Sequence, residues 1–254
     1  MKINRLFILL PLISSSFIYS CNRRSKSPIV VLGAMHCEYD ILEDALERPT
    51  SKTLYGFNIV EGYIDNYPVI VGESKIGSLY ARKITELIIK QYNPYCVIDQ
   101  GTAGAHIASY QTKELVIGKT IKNITYYLDD NKPVFVANDE QFFYHSDSNL
   151  YEIATNTPYT DGDFITEGVL GTSDDWNLDE DIINLIHKEF NTSSEDMETW
   201  YVADPCLSFN IPFLGFRVIS NNTLNPSVPT ILEDSGRLSQ NYAIRLIKNI
   251  IKNI

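Results

Sequence analysis

The chain has 254 residues, 44 % of them hydrophobic, and a formal net charge of −11. So acidic a surface repels phosphate backbones, which excludes nucleic acid as the expected partner. The length suits one α/β domain with a sizeable core and is too short for two comfortable ones.

Residues 1–20 read as an export signal rather than as part of a core. Lys2 and Arg5 form a basic start, Leu6 to Ile13 is an apolar run broken only by Pro11, and small polar residues follow to Ser20. The run is too short for a membrane span. Cys21 directly after a small residue resembles the bacterial lipobox, which implies diacylation of Cys21, a polar tether over residues 21–28 and a lipid anchor in the bacterial cell envelope, on its periplasmic or surface face. An ordinary secretory signal with an incidental cysteine is the alternative. Loss of Lys2 and Arg5 with the signal makes the chain more negative still. Cys37, Cys96 and Cys206 have no CxxC pairing and no metal-ligand spacing, so free thiols are expected, with a single disulfide left open and no metal implied.

From residue 29 the pattern alternates strands and helices. Ile29 to Leu32 is a buried-type strand running into Gly33-Ala34-Met35, and Pro68 to Gly72 and Tyr95 to Asp99 repeat a strand leading into a turn. Ser78 to Gln91 is predicted helical, with Leu79, Ile84, Leu87 and Ile88 on one face and Asn93-Pro94 as the stop. The stretch from Tyr126 to Thr166 has little period and reads as loops and short strands at a pocket rim, a lid or a subunit contact. Ile211 to Ser220 is another strand, and Asn241 to Ile254 closes the chain as a helix. The expected architecture is a single three-layer α/β/α sandwich over residues 29–254 with a mixed central sheet, its site at the carboxyl ends of the strands.

Several strand ends carry chemistry-bearing residues. Gly33-Ala34-Met35 followed by Glu38 resembles the opening turn of the methylthioadenosine/S-adenosylhomocysteine nucleosidases, in the nucleoside phosphorylase/nucleosidase superfamily. That family has three acids after Gly-Ala-Met. Here His36 and Cys37 replace two of them, and Glu38 keeps the one that activates the attacking water. Ser74 to Gly77 and Asp99 to Gly104 are similar to the family's glycine segments, which places Ile76 beside the 5′ group and Thr102, Ala103 and Gly104 in the site. Gly171 to Trp176 resembles the segment whose aromatic stacks on the purine, here Trp176. Asp196-Met197-Glu198 resembles Glu-Met-Glu, implying that Met197 packs on the ribose and that Glu198 accepts from its two hydroxyls. Phe213 to Asn221 follows the last motif strand and retains Arg217, expected to pair with Glu38 or an anion, and Ser220.

That strand also contains the main departure, because Asn221 stands where the family has its catalytic aspartate. An asparagine donates a neutral hydrogen bond and cannot serve as a general acid, a role worth about 10² to 10⁴ in rate. Three outcomes stay open: a preference for 6-oxopurine nucleosides, as the asparagine of trimeric purine nucleoside phosphorylases implies; another acid, with His36, Asp174, Asp175 or Asn222 as candidates; or loss of turnover with nucleoside binding retained. The resemblance implies an N-ribosyl hydrolase of purine nucleosides that uses activated water, with no cofactor and a homodimeric assembly. A phosphorylase is the lesser alternative, because residues 33–38 lack a phosphate-holding arginine.

Overall fold

The computed structural model describes residues 26–130, 132–136 and 143–254. The predicted export segment and Cys21 lie outside the described residues. Strand β1 (Ile29–Gly33) is buried along its whole length. After a 3-10 turn over His36–Glu38 and a short helix α1 (Asp40–Asp44) come β2 (Glu47–Leu54), β3 (Phe57–Ile64) and β4 (Tyr67–Glu73). Each of the two hairpins turns on a residue pair with positive φ, Tyr55-Gly56 and Asp65-Asn66, the backbone that two-residue hairpins require. Helix α2 (Ser78–Tyr92) buries Ala81, Ile84 and Ile88 along one face and stops at Asn93, which is left-handed.

The chain continues through β5 (Cys96–Ala105), β6 (Leu115–Asn123), β7 (Tyr126–Asp129), β8 (Lys132–Phe135), β9 (Phe143–His145) and α3 (Ser148–Thr155). It ends with β10 (Phe164–Thr172), α4 (Glu180–Phe190), β11 (Ser194–Asp196), α5 (Thr199–Ser208), β12 (Phe213–Asn221) and α6 (Leu232–Lys252). The main sheet runs β11-β10-β6-β12-β5-β1-β4-β3-β2, with β9 on β6. It is mixed, as expected: β1 lies parallel to β4 and β5, whereas β12 is parallel to β5 and antiparallel to β6. Because β11 also pairs with the end of β5, strands β5, β12, β6, β10 and β11 close into a ring at the site's end of the sheet.

Alternation along β1 divides the core. Ile29 and Val31 face the layer that holds Leu42, Leu150 and the α6 residues Leu246 and Ile247, while Val30 and Leu32 face α2 and α5. Each such side chain removed from water contributes about 1.5–3 kcal/mol. Two parts of the strand and helix expectation need correction. The glycine segment from Asp99 to Gly104 is not a turn, because β5 runs through it to Ala105. The last helix begins at Leu232 rather than Asn241, and the stretch from Tyr126 to Thr166 contains a helix, α3, capped by Asp147, whose carboxylate accepts from the Asn149 and Leu150 amides. The cysteines at 37, 96 and 206 are free thiols.

Candidate active site

The carboxyl end of β1 fixes the first functional group. A side chain at Gly33 would place its Cβ 2.8 Å from the Glu38 carbonyl, so glycine lets the chain fold back tightly and deliver Glu38 to the strand ends. The carboxylate is 3 % exposed and fully engaged. Its Oε2 accepts from the Ala34 and Met35 amides at 3.0 and 3.2 Å, and its Oε1 accepts from the Thr102 amide at 2.8 Å and the Thr102 hydroxyl at 2.9 Å. Helix α6 braces the same turn: Ser239 donates to Gln100, which donates to the Glu38 carbonyl, and Gln240 donates to the Cys37 carbonyl. β5 passes so close that a Cβ at Gly101 would stand 2.8 Å from Glu38 Oε1.

Glu198 comes from the turn between β11 and α5. Its Oε1 accepts from the Gly77 amide at 2.8 Å, which ties it to the start of α2. Burial, and then the neighbouring charge of Asp196, pushes its pKa up to about 8 against the pull of Arg217. Asp196 itself orders the turn by accepting from the Glu198 and Thr199 amides and from the hydroxyls of Thr172 and Thr199.

Arg217 departs from its expected role. It is 2 % exposed, bridges Asp99 at 2.5 Å and Asp196 at 3.3 Å rather than Glu38, and does not line the cavity. Burial opposes its charge, but Asp99 and Asp196 together hold its pKa above the ordinary value. Its part is to position Asp196, and through Asp196 the backbone of Glu198.

At the end of β12, Asn221 lies against Gly104, where a Cβ would meet its Nδ2 at 3.3 Å. The Ser220 hydroxyl, 3.1 Å from Asn221 Oδ1 and 3.2 Å from the Ala103 carbonyl, turns the amide so that its NH₂ faces Gly104. Glu38, Glu198 and Asn221 open into one cavity of about 680 Å³ including its mouth. Thr102, Ala103 and Gly104 form one wall, Met197 and Ser220 another, and Ile76 and Trp176, the latter 52 % exposed, stand at the rim. None of the alternative acids lines this cavity. The His36 side chain is 79 % exposed and 3.9 Å from Asp40, Asp174 and Asp175 lie at the surface, and Asn222 donates to the carbonyls of Ile107 and Tyr110.

Among the lining residues that the sequence reading missed are His106, Asn177 and Glu195. His106 directly follows β5, Asn177 precedes α4 and Glu195 is the middle residue of β11, each outside the motifs, and only the closure of the strand ring brings them together. Among the described residues no lysine or arginine lines the cavity, and no group of His, Cys, Asp and Glu is arranged to hold a metal ion.

A mixed α/β sandwich whose strand ends gather carboxylates, carboxamides and a rim tryptophan around one cavity belongs with the nucleoside-handling α/β proteins. Residues 28–252 match the family model of the phosphorylase superfamily, and the chain belongs to that family. A curated relative, a 5′-methylthioadenosine/S-adenosylhomocysteine nucleosidase of Bacillus cereus, is 25 % identical over 232 residues, covering 87 % of this chain and 99 % of the relative. Among solved structures, the corresponding nucleosidase of Neisseria meningitidis, in complex with methylthio-immucillin-A, superposes with a TM-score of 0.77 at 20 % identity over 90 % of this chain and all of the other. The futalosine hydrolase of Helicobacter pylori gives 0.76 at 23 % identity, over 87 % of this chain and 97 % of its own.

Proposed function

We propose that the chain is an N-ribosyl hydrolase that cleaves the N-glycosidic bond of purine nucleosides with a water activated by Glu38. The observation that carries this reading is the Glu38 carboxylate, locked by four donors yet open to the same cavity as Glu198 and Asn221. Three of the four donors are fixed backbone amides, and the fourth is the Thr102 hydroxyl, which rotates. A water that displaces this hydroxyl donates to Glu38 Oε1 and hands it a proton as the ribosyl cation forms. Glu198, when ionised, accepts from the two ribose hydroxyls and offsets the developing positive charge. The purine then lies between Trp176 and the β5 wall, with N7 facing the Asn221 amide. Asn221 stabilises the departing base by a neutral hydrogen bond and supplies no proton.

Hydrolysis is favoured over phosphorolysis because acidic side chains, Glu38 and Glu195 among them, line the cavity without a lysine or arginine among the described residues, an environment that disfavours phosphate. The resemblance to methylthioadenosine and S-adenosylhomocysteine nucleosidases supports a substituent at the ribose 5′ position beside Ile76. The second reading, a nucleoside-binding protein with little turnover, rests on Asn221 alone. The deciding experiment is base release by the purified chain from methylthioadenosine, S-adenosylhomocysteine, adenosine, inosine and guanosine. Release that disappears in Glu38→Gln supports the hydrolase; no release from any substrate, restored by Asn221→Asp, supports the binder.

Two features complete the proposal. A homodimer, with a partner loop closing the rim, is supported by exposed Ile76, Leu79 and Tyr80 beside the cavity mouth, and light scattering reads it. A lipid anchor at Cys21 is supported by the signal-like residues before it, and loss of fatty-acid labelling in Cys21→Ala tests it.

A further inference from the structure

A second cavity, of about 870 Å³ including its mouth, lies between α3, the last turn of α6 and Tyr95, the residue before β5. The Tyr95 amide donates to the Pro28 carbonyl just ahead of β1, so this cavity sits at the amino ends of the strands, opposite the Glu38 site. At about 3.3 Å of rise per residue, Tyr95 is roughly 23 Å along β5 from Thr102. The two cavities share no lining residue. On α3 and its C-cap, Asn149, Glu152, Ile153 and Asn156 recur at i, i+3, i+4 and i+7, which puts all four on one helical face. From α6 and its C-cap, Asn249 and Asn253 face them one turn apart.

The hydrogen bonds behind this wall fix which way three of the carboxamides point. Asn156 Nδ2 donates to the Glu152 carbonyl at 2.9 Å and Asn253 Nδ2 to the Asn249 carbonyl at 2.8 Å, and a carbonyl only accepts. Thr157 spends its single hydroxyl hydrogen on the Ile153 carbonyl at 2.8 Å, so it accepts from Asn249 Nδ2 at 3.0 Å. Each of the three amides therefore keeps a free acceptor oxygen and one free N–H. Among the described hydrogen bonds and ion pairs, the Glu152 carboxylate and the Asn149 carboxamide have no side-chain partner either. Glu152 is the single charged group of the wall, and no lysine or arginine among the described residues lines it. Tyr95, 38 % exposed, adds an aromatic surface, and Ile153 an apolar one.

We infer that this cavity is a second binding site, separate from the nucleoside cavity, and that its ligand is a neutral pyranoside. A sugar hydroxyl both donates and accepts, and so does each oriented carboxamide, with its free oxygen and free N–H side by side. Two neighbouring hydroxyls match one such amide, and the Glu152 carboxylate accepts from a further pair. The ring's C–H face is apolar and lies on the Tyr95 ring, whose π face is electron-rich. An anionic ligand meets Glu152 with no cation to hold it. An organic ammonium only donates, and it faces the free amide hydrogens as well as the oxygens. Mixed donors and acceptors beside one aromatic therefore select hydroxyls.

The test is saturation-transfer NMR of the purified chain with the methyl glycosides of glucose, galactose, mannose and N-acetylglucosamine, and with n-butylammonium as the cationic control. At least one glycoside is expected to receive saturation, most strongly on the ring hydrogens that face Tyr95, and n-butylammonium none. Glu152→Ala and Asn253→Ala are each expected to weaken the Kd of that glycoside by about 3- to 10-fold, the worth of a hydrogen bond, at an unchanged melting midpoint. Tyr95→Ala is expected to abolish the ring-hydrogen pattern, and Glu198→Gln, in the other cavity, to leave binding as it is. No transfer to any glycoside overturns the inference, as does transfer to n-butylammonium instead. So does glycoside binding that survives Glu152→Ala, Asn253→Ala and Tyr95→Ala unchanged, or that is lost in Glu198→Gln, which would put the sugar in the nucleoside cavity. Should Tyr95→Ala fail to fold, Asn253→Ala, at the exposed end of α6, decides.

Discussion

Replacing Arg217 with methionine keeps much of the side-chain volume but removes the cation between two buried carboxylates. Asp99, 1 % exposed, loses a partner at 2.5 Å, and Asp196 loses one at 3.3 Å. Asp196 retains the donors from Thr172, Glu198 and Thr199, so the larger share of the loss falls on Asp99. Removing one side of a buried ion pair costs about 3–5 kcal/mol, because the other side stays buried and uncompensated. In a domain of this size each kcal/mol moves the melting midpoint by about 2–4 °C, which puts the expected fall at roughly 6–20 °C. The double variant Asp99→Leu with Arg217→Met removes one orphaned charge and is expected to melt above Arg217→Met alone. Differential scanning calorimetry of the wild type and both variants at pH 7 reads this directly. An Arg217→Met protein that melts within 2 °C of the wild type, or a double variant less stable than the single one, would refute the assignment of Arg217 as the internal counter-ion.

Two further predictions concern the carboxylates of the cavity. Glu198 is held protonated to about pH 8 by burial and by Asp196, above its ordinary 4.5, so the native chain binds more protons than the unfolded chain between those values. Its contribution to stability is present in full below about pH 4.5 and is lost as pH rises through about 8. Glu198→Gln is expected to flatten that decline in melting midpoints taken from pH 5 to 9, while wild-type kcat/KM climbs toward pH 8 as the ribose acceptor ionises. Gly101→Ala drives a methyl to 2.8 Å from Glu38 Oε1 and shifts the carboxylate. Turnover is expected to fall about 100-fold, as misplacement by about 1 Å does, with free-base affinity retained; unchanged turnover in steady-state assays would contradict that placement.

What was legible in the sequence follows from which residues act locally. Strand β1 and helix α2 announce themselves by an apolar run and by buried residues at helical spacing, and Glu38, Glu198 and Asn221 sit in short contiguous motifs at strand ends. The start of α6 was hidden because its buried face is polar: Ser235, Ser239 and Gln240 hydrogen-bond to Ile219, Gln100 and Cys37 instead of packing as an apolar stripe. The glycines of β5 suggested a turn, although their purpose is close approach, of Glu38 at Gly101 and of Asn221 at Gly104. Arg217 looked like a ligand-binding cation because its partners, Asp99 and Asp196, are remote in sequence. His106 and Glu195 meet only through the antiparallel pairing of β11 with β5, which no local pattern encodes.

The central claim, that water is the nucleophile and Glu38 its base, is tested most directly by a single turnover in ¹⁸O-enriched water containing phosphate, followed by mass spectrometry of the sugar product. The account predicts a free pentose carrying one ¹⁸O at the anomeric carbon, and no such product from Glu38→Gln. Unlabelled ribose 1-phosphate, or labelled pentose formed equally well by Glu38→Gln, would contradict it.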